Sequence, residues 1–232
     1  MSVLILATIG GTVSFLSTSL GSVLTQVFTK TSSLKNLHMS MDFTLGVMLS
    51  AAAFLIAPEL ASNISLSLMG LTLGLVSIVL LHQYIHKHTH GKNKSSYLLI
   101  AALIFHNFPE GMGAGASLAG MEWNTAISLQ AAIAIQNVVE GMILTLLLMS
   151  LGVRTKWALI GGVVSGVVEL GGGVIAGLVL HQTLLLLPFL LSLAGGAMMG
   201  SVALEIWETK RLNPAQFIMG TAIIPIMNYF LP

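Results

Sequence analysis

No cysteine occurs in the 232-residue chain, which excludes disulfides, thiolate metal sites and lipidated cysteines. Charge is almost as scarce. Only 7 % of the residues are Asp, Glu, Lys or Arg, where soluble domains carry about 25 %. With 55 % hydrophobic residues, no soluble fold of this size could hide so much apolar surface. The remaining solvent is lipid, in which a spanning helix needs roughly 20 predominantly apolar residues. The formal net charge of +1 points to no charged partner, and nucleic acid is not expected. The first basic residue is Lys30, so the chain does not open on the positive n-region of a secretory signal peptide. Its first apolar stretch is expected to be retained as a span. A glycine loop ending in Lys and Ser/Thr, which would cradle a nucleotide phosphate, is also missing, and ATP hydrolysis is therefore not expected.

What is present is a series of long apolar runs. Polar punctuation divides the chain into eight segments: 2–27, 41–61, 66–85, 97–120, 124–149, 156–180, 183–206 and 214–231. Each is long enough to cross a hydrocarbon core of about 30 Å as a helix. Barrel strands would alternate over segments of about ten residues, and runs such as Met142 to Leu151 do not alternate. The expectation is an all-α transmembrane bundle of eight spans forming one domain, 1–232, in the cell membrane. Gly173 with Gly177 and Gly196 with Gly200 form small-xxx-small pairs that would let helices pack closely.

The basic residues orient the bundle. All nine Lys and Arg fall in odd-numbered loops or at adjoining span ends: Lys30 and Lys35, then Lys87, Lys92 and Lys94, then Arg154 and Lys156, then Lys210 and Arg211. The positive-inside rule puts these loops in the cytoplasm and both termini outside. An odd number of spans would have scrambled this pattern.

An ionisable residue at membrane depth costs about 2.5–3.5 kcal/mol on insertion scales and marks a functional site by default. Glu110, Glu140 and Glu169 fall mid-span in spans four, five and six. Two of them belong to a repeat. Span four reads His106-Asn107-Phe108-Pro109-Glu110-Gly111-Met112, and span five reads Gln136-Asn137-Val138-Val139-Glu140-Gly141-Met142. Spacings of three and four place His106, Asn107 and Glu110 on one helix face, and Gln136, Asn137 and Glu140 on another. The two spans run in opposite directions, so the motifs can face each other. Carboxylates, amide oxygens and an imidazole together suit Zn²⁺, Fe²⁺, Mn²⁺ or Co²⁺, and the missing thiolates argue against Cu⁺. Three glutamates suffice to share two ions, with Glu110 and Glu140 bridging. Pro109 removes an N–H and so frees the carbonyl of Phe105, which membrane depth tolerates only beside protein or a wet cavity. A glutamate such as Glu169, taken alone, reads equally as a protonated side chain bonded to a neighbouring helix.

The hexapeptide His106 to Gly111 resembles the fourth-span signature of the ZIP family of zinc and iron transporters. Gln136-Asn137-x-x-Glu140-Gly141 resembles its fifth-span partner, and Ser165-Gly166-x-x-Glu169 its sixth-span motif. Gly46-Val47-Met48-Leu49 with Pro58-Glu59-Leu60 is similar to the second span, and Ala194-Gly195-Gly196-Ala197-Met198 to the seventh. The resemblance implies a binuclear metal centre between spans four, five and six. One site would use His106, Glu110, Gln136 and Glu140, with Met48 as a further ligand. The other would use Asn107, Glu110, Asn137, Glu140 and Glu169. It also implies inward transport and a homodimer. Two departures stand out: where the family's fifth span often has His and Pro, this chain has Gln136 and Val139. An amide is a weaker ligand than imidazole, which loosens a zinc-only preference and admits iron, manganese, cobalt or cadmium.

Four more histidines, His82, His86, His88 and His90, mark the end of span three and a cytoplasmic loop 86–96. Short histidine-rich tracts read as metal-binding, and a solvated loop with incidental histidines is the alternative. Asp42 and Glu205 fall at cytoplasmic span ends and could join an exit route. Glu59 lies at the outer end of span two, where a charged mouth would gather cations, although a simple interfacial carboxylate fits equally well. The expected function is transport of a divalent metal ion towards the cytoplasm of a prokaryotic cell, with the ion as substrate and no organic cofactor. The alternatives are a membrane-embedded dimetal enzyme and a proton-coupled carrier of an organic solute.

Overall fold

In lipid every backbone N–H and C=O must find its partner within the chain, which leaves uncharged apolar runs little choice but the helix. The computed structural model describes residues 2–28, 34–88, 100 and 104–230, with 27, 28 and 34–40 as backbone only. The described residues form α-helices and one 3₁₀ turn, with no strand among them. We number the helices α1 (Val3–Phe28), α2 (Leu34–Ser62), α3 (Ile64–His88), α4 (Asn107–Gly120), α5 (Trp123–Ser150), α6 (Thr155–Gln182), α7 (Leu187–Thr209) and α8 (Pro214–Phe230). They correspond one to one with the eight expected segments. Six stretches, within α1, α2, α3, α5 and α6 and over 184–209, are long and apolar enough to cross a membrane. The start of the fourth expected segment, and with it Lys30, His90, Lys92 and Lys94, lies outside the described residues.

Three ends differ from the expected boundaries, the first being the start of α2 at Leu34 rather than residue 41. The 3₁₀ turn Leu184–Leu186 precedes α7, and the Thr183 hydroxyl accepts from the Leu185 N–H at 3.2 Å. More consequentially, α3 runs on through His86 and His88, residues expected in a loop. Their chemistry explains it, because cationic and imidazole side chains are favoured at a helix C-terminus. His88 Nδ1 lies 2.8 Å from the Tyr84 carbonyl, where it can satisfy a terminal C=O.

The helices turn their polar and small residues inward. On α1, Ile5, Ile9, Val13, Leu16, Leu20 and Val23 are exposed, at spacings of three and four that trace one stripe. The opposite stripe buries Ser14, Thr18, Ser22 and Thr25. A soluble helix would do the reverse, and the inversion is what a lipid solvent selects. α1 packs on α4, α5 and α6, the helices that carry the spans' buried glutamates.

Glycines permit the closest crossings. A Cβ built on Gly21 would land on the Val138 carbonyl, and one on Gly141 would land on the Thr18 carbonyl, so α1 and α5 meet backbone to backbone. Gly111 and Gly172 interlock α4 and α6 in the same way, against the Glu169 and Phe108 carbonyls. The small-xxx-small pairs also sit at crossings: Gly173 and Gly177 face α1, while Gly196 meets the Leu71 carbonyl of α3. Between α2, α4, α5, α6, α7 and α8 lies the apolar core, which includes Met48, Leu55, Met112, Leu129, Ile133, Leu191 and Met198.

Candidate metal centre

The site is built where α4 begins. Ile104 and Phe105 are helical, His106 is a turn, and the helix resumes at Asn107. Pro109 thus falls in a first turn, where its missing N–H breaks no helical bond. The Glu110 N–H closes the turn on the His106 carbonyl at 3.1 Å. A carboxylate in a first turn is favoured by the helix dipole. α5, with Val139 where a proline would have bent it, runs unbroken through Gln136, Asn137 and Glu140. α6 presents Ser165 and Glu169, four residues apart and both buried.

Two hydrogen-bonded groups result. In the first, His106 Nε2 lies 3.0 Å from Glu140 Oε2. Gln136 Nε2 donates to Glu110 Oε1 at 2.8 Å and to Glu140 Oε1 at 3.0 Å. Ligand atoms of His106, Glu110 and Glu140 all lie within 4.8 Å of one another. In the second, Asn107 Nδ2 donates to Glu169 Oε1 at 2.8 Å and to Ser165 Oγ at 2.8 Å. Asn137 Nδ2 donates to Glu169 Oε2 at 2.9 Å. The motif seen twice in the sequence thus joins the start of α4 to α5, and Glu169 of α6 completes one constellation by accepting from both of its asparagines.

The unpaired atoms are the informative ones. Glu110, Gln136, Asn137 and Glu169 are at 0 % exposure. Asn107 Oδ1, Glu110 Oε2, Gln136 Oε1 and Asn137 Oδ1 are buried without a hydrogen-bond partner among the described residues. All four are oxygens with lone pairs to give. Leaving such an acceptor buried and unpaired costs about 1–3 kcal/mol, so four in one place need a common explanation. The carboxylates need one as well, since among the described residues none of them pairs with a Lys or Arg and buried charge requires a counter-charge. A divalent cation answers both, because it accepts oxygen lone pairs and supplies positive charge. The donor set of carboxylate, amide oxygen and imidazole suits that chemistry.

The remaining candidates lie elsewhere. Met48 is buried in the same apolar cluster as Met112, two residues beyond Glu110. Asp42 accepts from the Asn213 N–H at 3.0 Å, just ahead of α8. His82 Nε2 pairs with Glu208 Oε1 at 3.1 Å, and the His82 and His86 rings lie 6.2 Å apart. Glu205 is close enough to interact electrostatically with His106, Glu208, Asp42 and Glu140, and its Oε1 is buried without a partner among the described residues. Glu59 is buried at the other end of α2, accepting from Ser62 Oγ at 3.0 Å. His90 lies outside the described residues.

Sequence reasoning missed two groups. Glu208 escaped notice although it sits one turn from Glu205. Thr18 also escaped, and its hydroxyl donates to Glu169 Oε1 at 2.6 Å. The signal for Thr18 was the Ser14, Thr18, Ser22, Thr25 stripe in an otherwise apolar span.

An all-helical bundle with lipid-type surfaces and a buried centre of carboxylates, amides and imidazole defines a multi-pass membrane protein that handles cations. A family model described as ZIP zinc transporter matches residues 79–214, more than half the chain, and the protein belongs to that family. It is 32 % identical over 119 residues to the zinc transporter GufA of Myxococcus xanthus, a match covering 50 % of this chain and 47 % of that protein. It is 29 % identical over 129 residues to a putative zinc transporter of Arabidopsis thaliana, covering 54 % of this chain and 21 % of that one. The match thus spans less than half the length of either relative.

Proposed function

We propose that this protein carries divalent transition-metal ions across the cell membrane towards the cytoplasm through a two-ion centre at the start of α4 and midway along α5 and α6. One ion would be held by His106, Glu110, Gln136 and Glu140, the other by Asn107, Asn137 and Glu169, with Glu110 and Glu140 shared. The observation that carries this reading is the set of four unpaired buried oxygens, one each from Asn107, Glu110, Gln136 and Asn137. Zinc is the substrate that the family's description favours. With an amide at Gln136 in place of imidazole, we expect Fe²⁺, Mn²⁺, Co²⁺ or Cd²⁺ to be accepted as well. A purely catalytic dimetal centre would have no use for a trail of ligands leaving it. Here Glu205, Asp42, Glu208 and His82 form such a trail from His106 towards the basic-loop face. We read them as the exit and Glu59, at the opposite end of α2, as part of the entrance.

Uptake into proteoliposomes, measured over a panel of these ions, tests the proposal. Wild-type protein is expected to transport zinc and at least one other ion. Glu110→Ala and Glu140→Ala are each expected to abolish uptake while still inserting, because each removes a shared ligand. Near-normal uptake by either variant would overturn the shared centre.

A further inference from the structure

α1 lies outside the 79–214 stretch that matches the family model, and none of its residues is among the proposed ligands. It nevertheless reaches the centre at one point. Thr18, at 1 % exposure, directs its hydroxyl at Glu169 Oε1 over 2.6 Å. That oxygen also accepts from Asn107 Nδ2 at 2.8 Å, so both of its lone pairs are engaged. Among the described residues, Glu169 Oε2 accepts from Asn137 alone, at 2.9 Å. A carboxylate offers about four lone-pair sites, so the lone pair left free is on Oε2.

We propose that Thr18 is a positioning residue for the second metal site: by saturating Oε1 it fixes the rotation of the Glu169 carboxylate and leaves Oε2 as the ligating oxygen. The other donors cannot do this alone. Asn107 spends its second N–H on Ser165 Oγ, and both Asn107 and Asn137 are needed as ligands through their own oxygens. Thr18 carries no such double duty. Its backbone is also held in register with the metal-bearing α5, because the Thr18 carbonyl rests on Gly141, next to Glu140. Partners of this outer kind orient metal ligands, and losing one typically costs about 10–100-fold in metal affinity.

This inference rests on the two-ion reading, and the experiment separates the two. Zn²⁺ binding to the purified 232-residue chain in detergent is measured by equilibrium dialysis, with metal analysis for stoichiometry, in wild type, Thr18→Val, Thr18→Ser and Glu169→Gln. Wild type is expected to bind two ions and Glu169→Gln to lose the second. Thr18→Val, which keeps the shape and removes the donor, is expected to weaken the second ion by about 10–100-fold and to leave the first unchanged. Thr18→Ser restores the hydroxyl and is expected to bind like wild type. Unchanged binding by Thr18→Val, or a serine variant as weak as the valine, overturns the role of Thr18 alone. So does a valine variant that loses both ions together or does not stay monodisperse, since that assigns Thr18 to packing. One ion in wild type, or full binding by Glu169→Gln, overturns the two-ion reading and this inference with it.

Discussion

Gln136 shows how much a single side chain decides. Its Nε2 bridges the two carboxylates that would be shared between ions, and its Oε1 is left free. An amide holds its proton count at every physiological pH. Carboxylates must be ionised and His106 neutral before they can ligate, so metal binding releases protons. Apparent affinity is therefore expected to fall as pH drops from about 7.5 towards 5.5, as protons compete with the metal for its ligands. Gln136→His adds an imidazole that must shed its proton before it ligates and is expected to steepen that fall. It is also expected to raise zinc preference over Mn²⁺ on the order of tenfold, since imidazole suits zinc better than an amide oxygen does. Titrations of Zn²⁺ and Mn²⁺ into both proteins at several pH values check this. Binding that is flat with pH in both would mean that the named groups do not ligate.

At the scale of the element, backbone contact and caps govern. Gly111 adjoins Glu110, and any Cβ there meets the Glu169 carbonyl, so Gly111→Ala must push α4 away from α6. The expected loss is about 1–3 kcal/mol of stability, as for overpacking elsewhere, together with weaker metal binding. Gly171→Ala is the control, because nothing lies within 4 Å of a Cβ there. Equal melting temperatures for the two variants would contradict the interlock. The start of α5 offers a different test. Glu122 accepts from the N–H groups of Asn124 and Thr125 at 3.0 and 2.9 Å. These bonds, that from Asn124 foremost, hold its carboxyl below the usual glutamate range. A carboxylate lowered in the folded state stabilises above its unfolded pKa of about 4.3, and that stabilisation disappears as pH falls through the folded value. Glu122→Gln is accordingly expected to melt earlier than wild type at pH 7, with the gap closing below about pH 4. A gap that persists there would show that the cap acts uncharged.

Across the whole molecule, the absence of cysteine becomes an experimental advantage, because any introduced thiol is unique. The exposed ends His88 and Lys210 belong to basic loops, whereas Glu122 and Leu185 lie at exposed turns without Lys or Arg. If eight spans put the basic loops inside, as the positive-inside rule expects, a membrane-impermeant thiol reagent applied to intact cells labels Glu122→Cys and Leu185→Cys. It is expected to spare His88→Cys and Lys210→Cys until the membrane is opened. Labelling of all four from one side would invalidate the eight-span orientation.

Composition alone determined the solvent. A chain with 7 % charged residues has to fold in lipid, lipid requires helices, and basic loops and a repeated polar motif then mark the spans and the buried glutamates. These are local properties, legible because each depends on neighbours within one or two helical turns. The pairing of those motifs was not local. Only the tertiary structure put Gln136 between Glu110 and Glu140, gathered Asn107 and Asn137 around Glu169, and brought Thr18 from 151 residues away in sequence to complete that carboxylate. Helix–helix contact is set by where glycines let backbones meet, as Gly21 and Gly141 do for α1 and α5. One sequence read alone does not say which glycine meets which helix. The course of α3 through His88 was likewise decided by its end, where imidazole and carbonyl find each other across one turn.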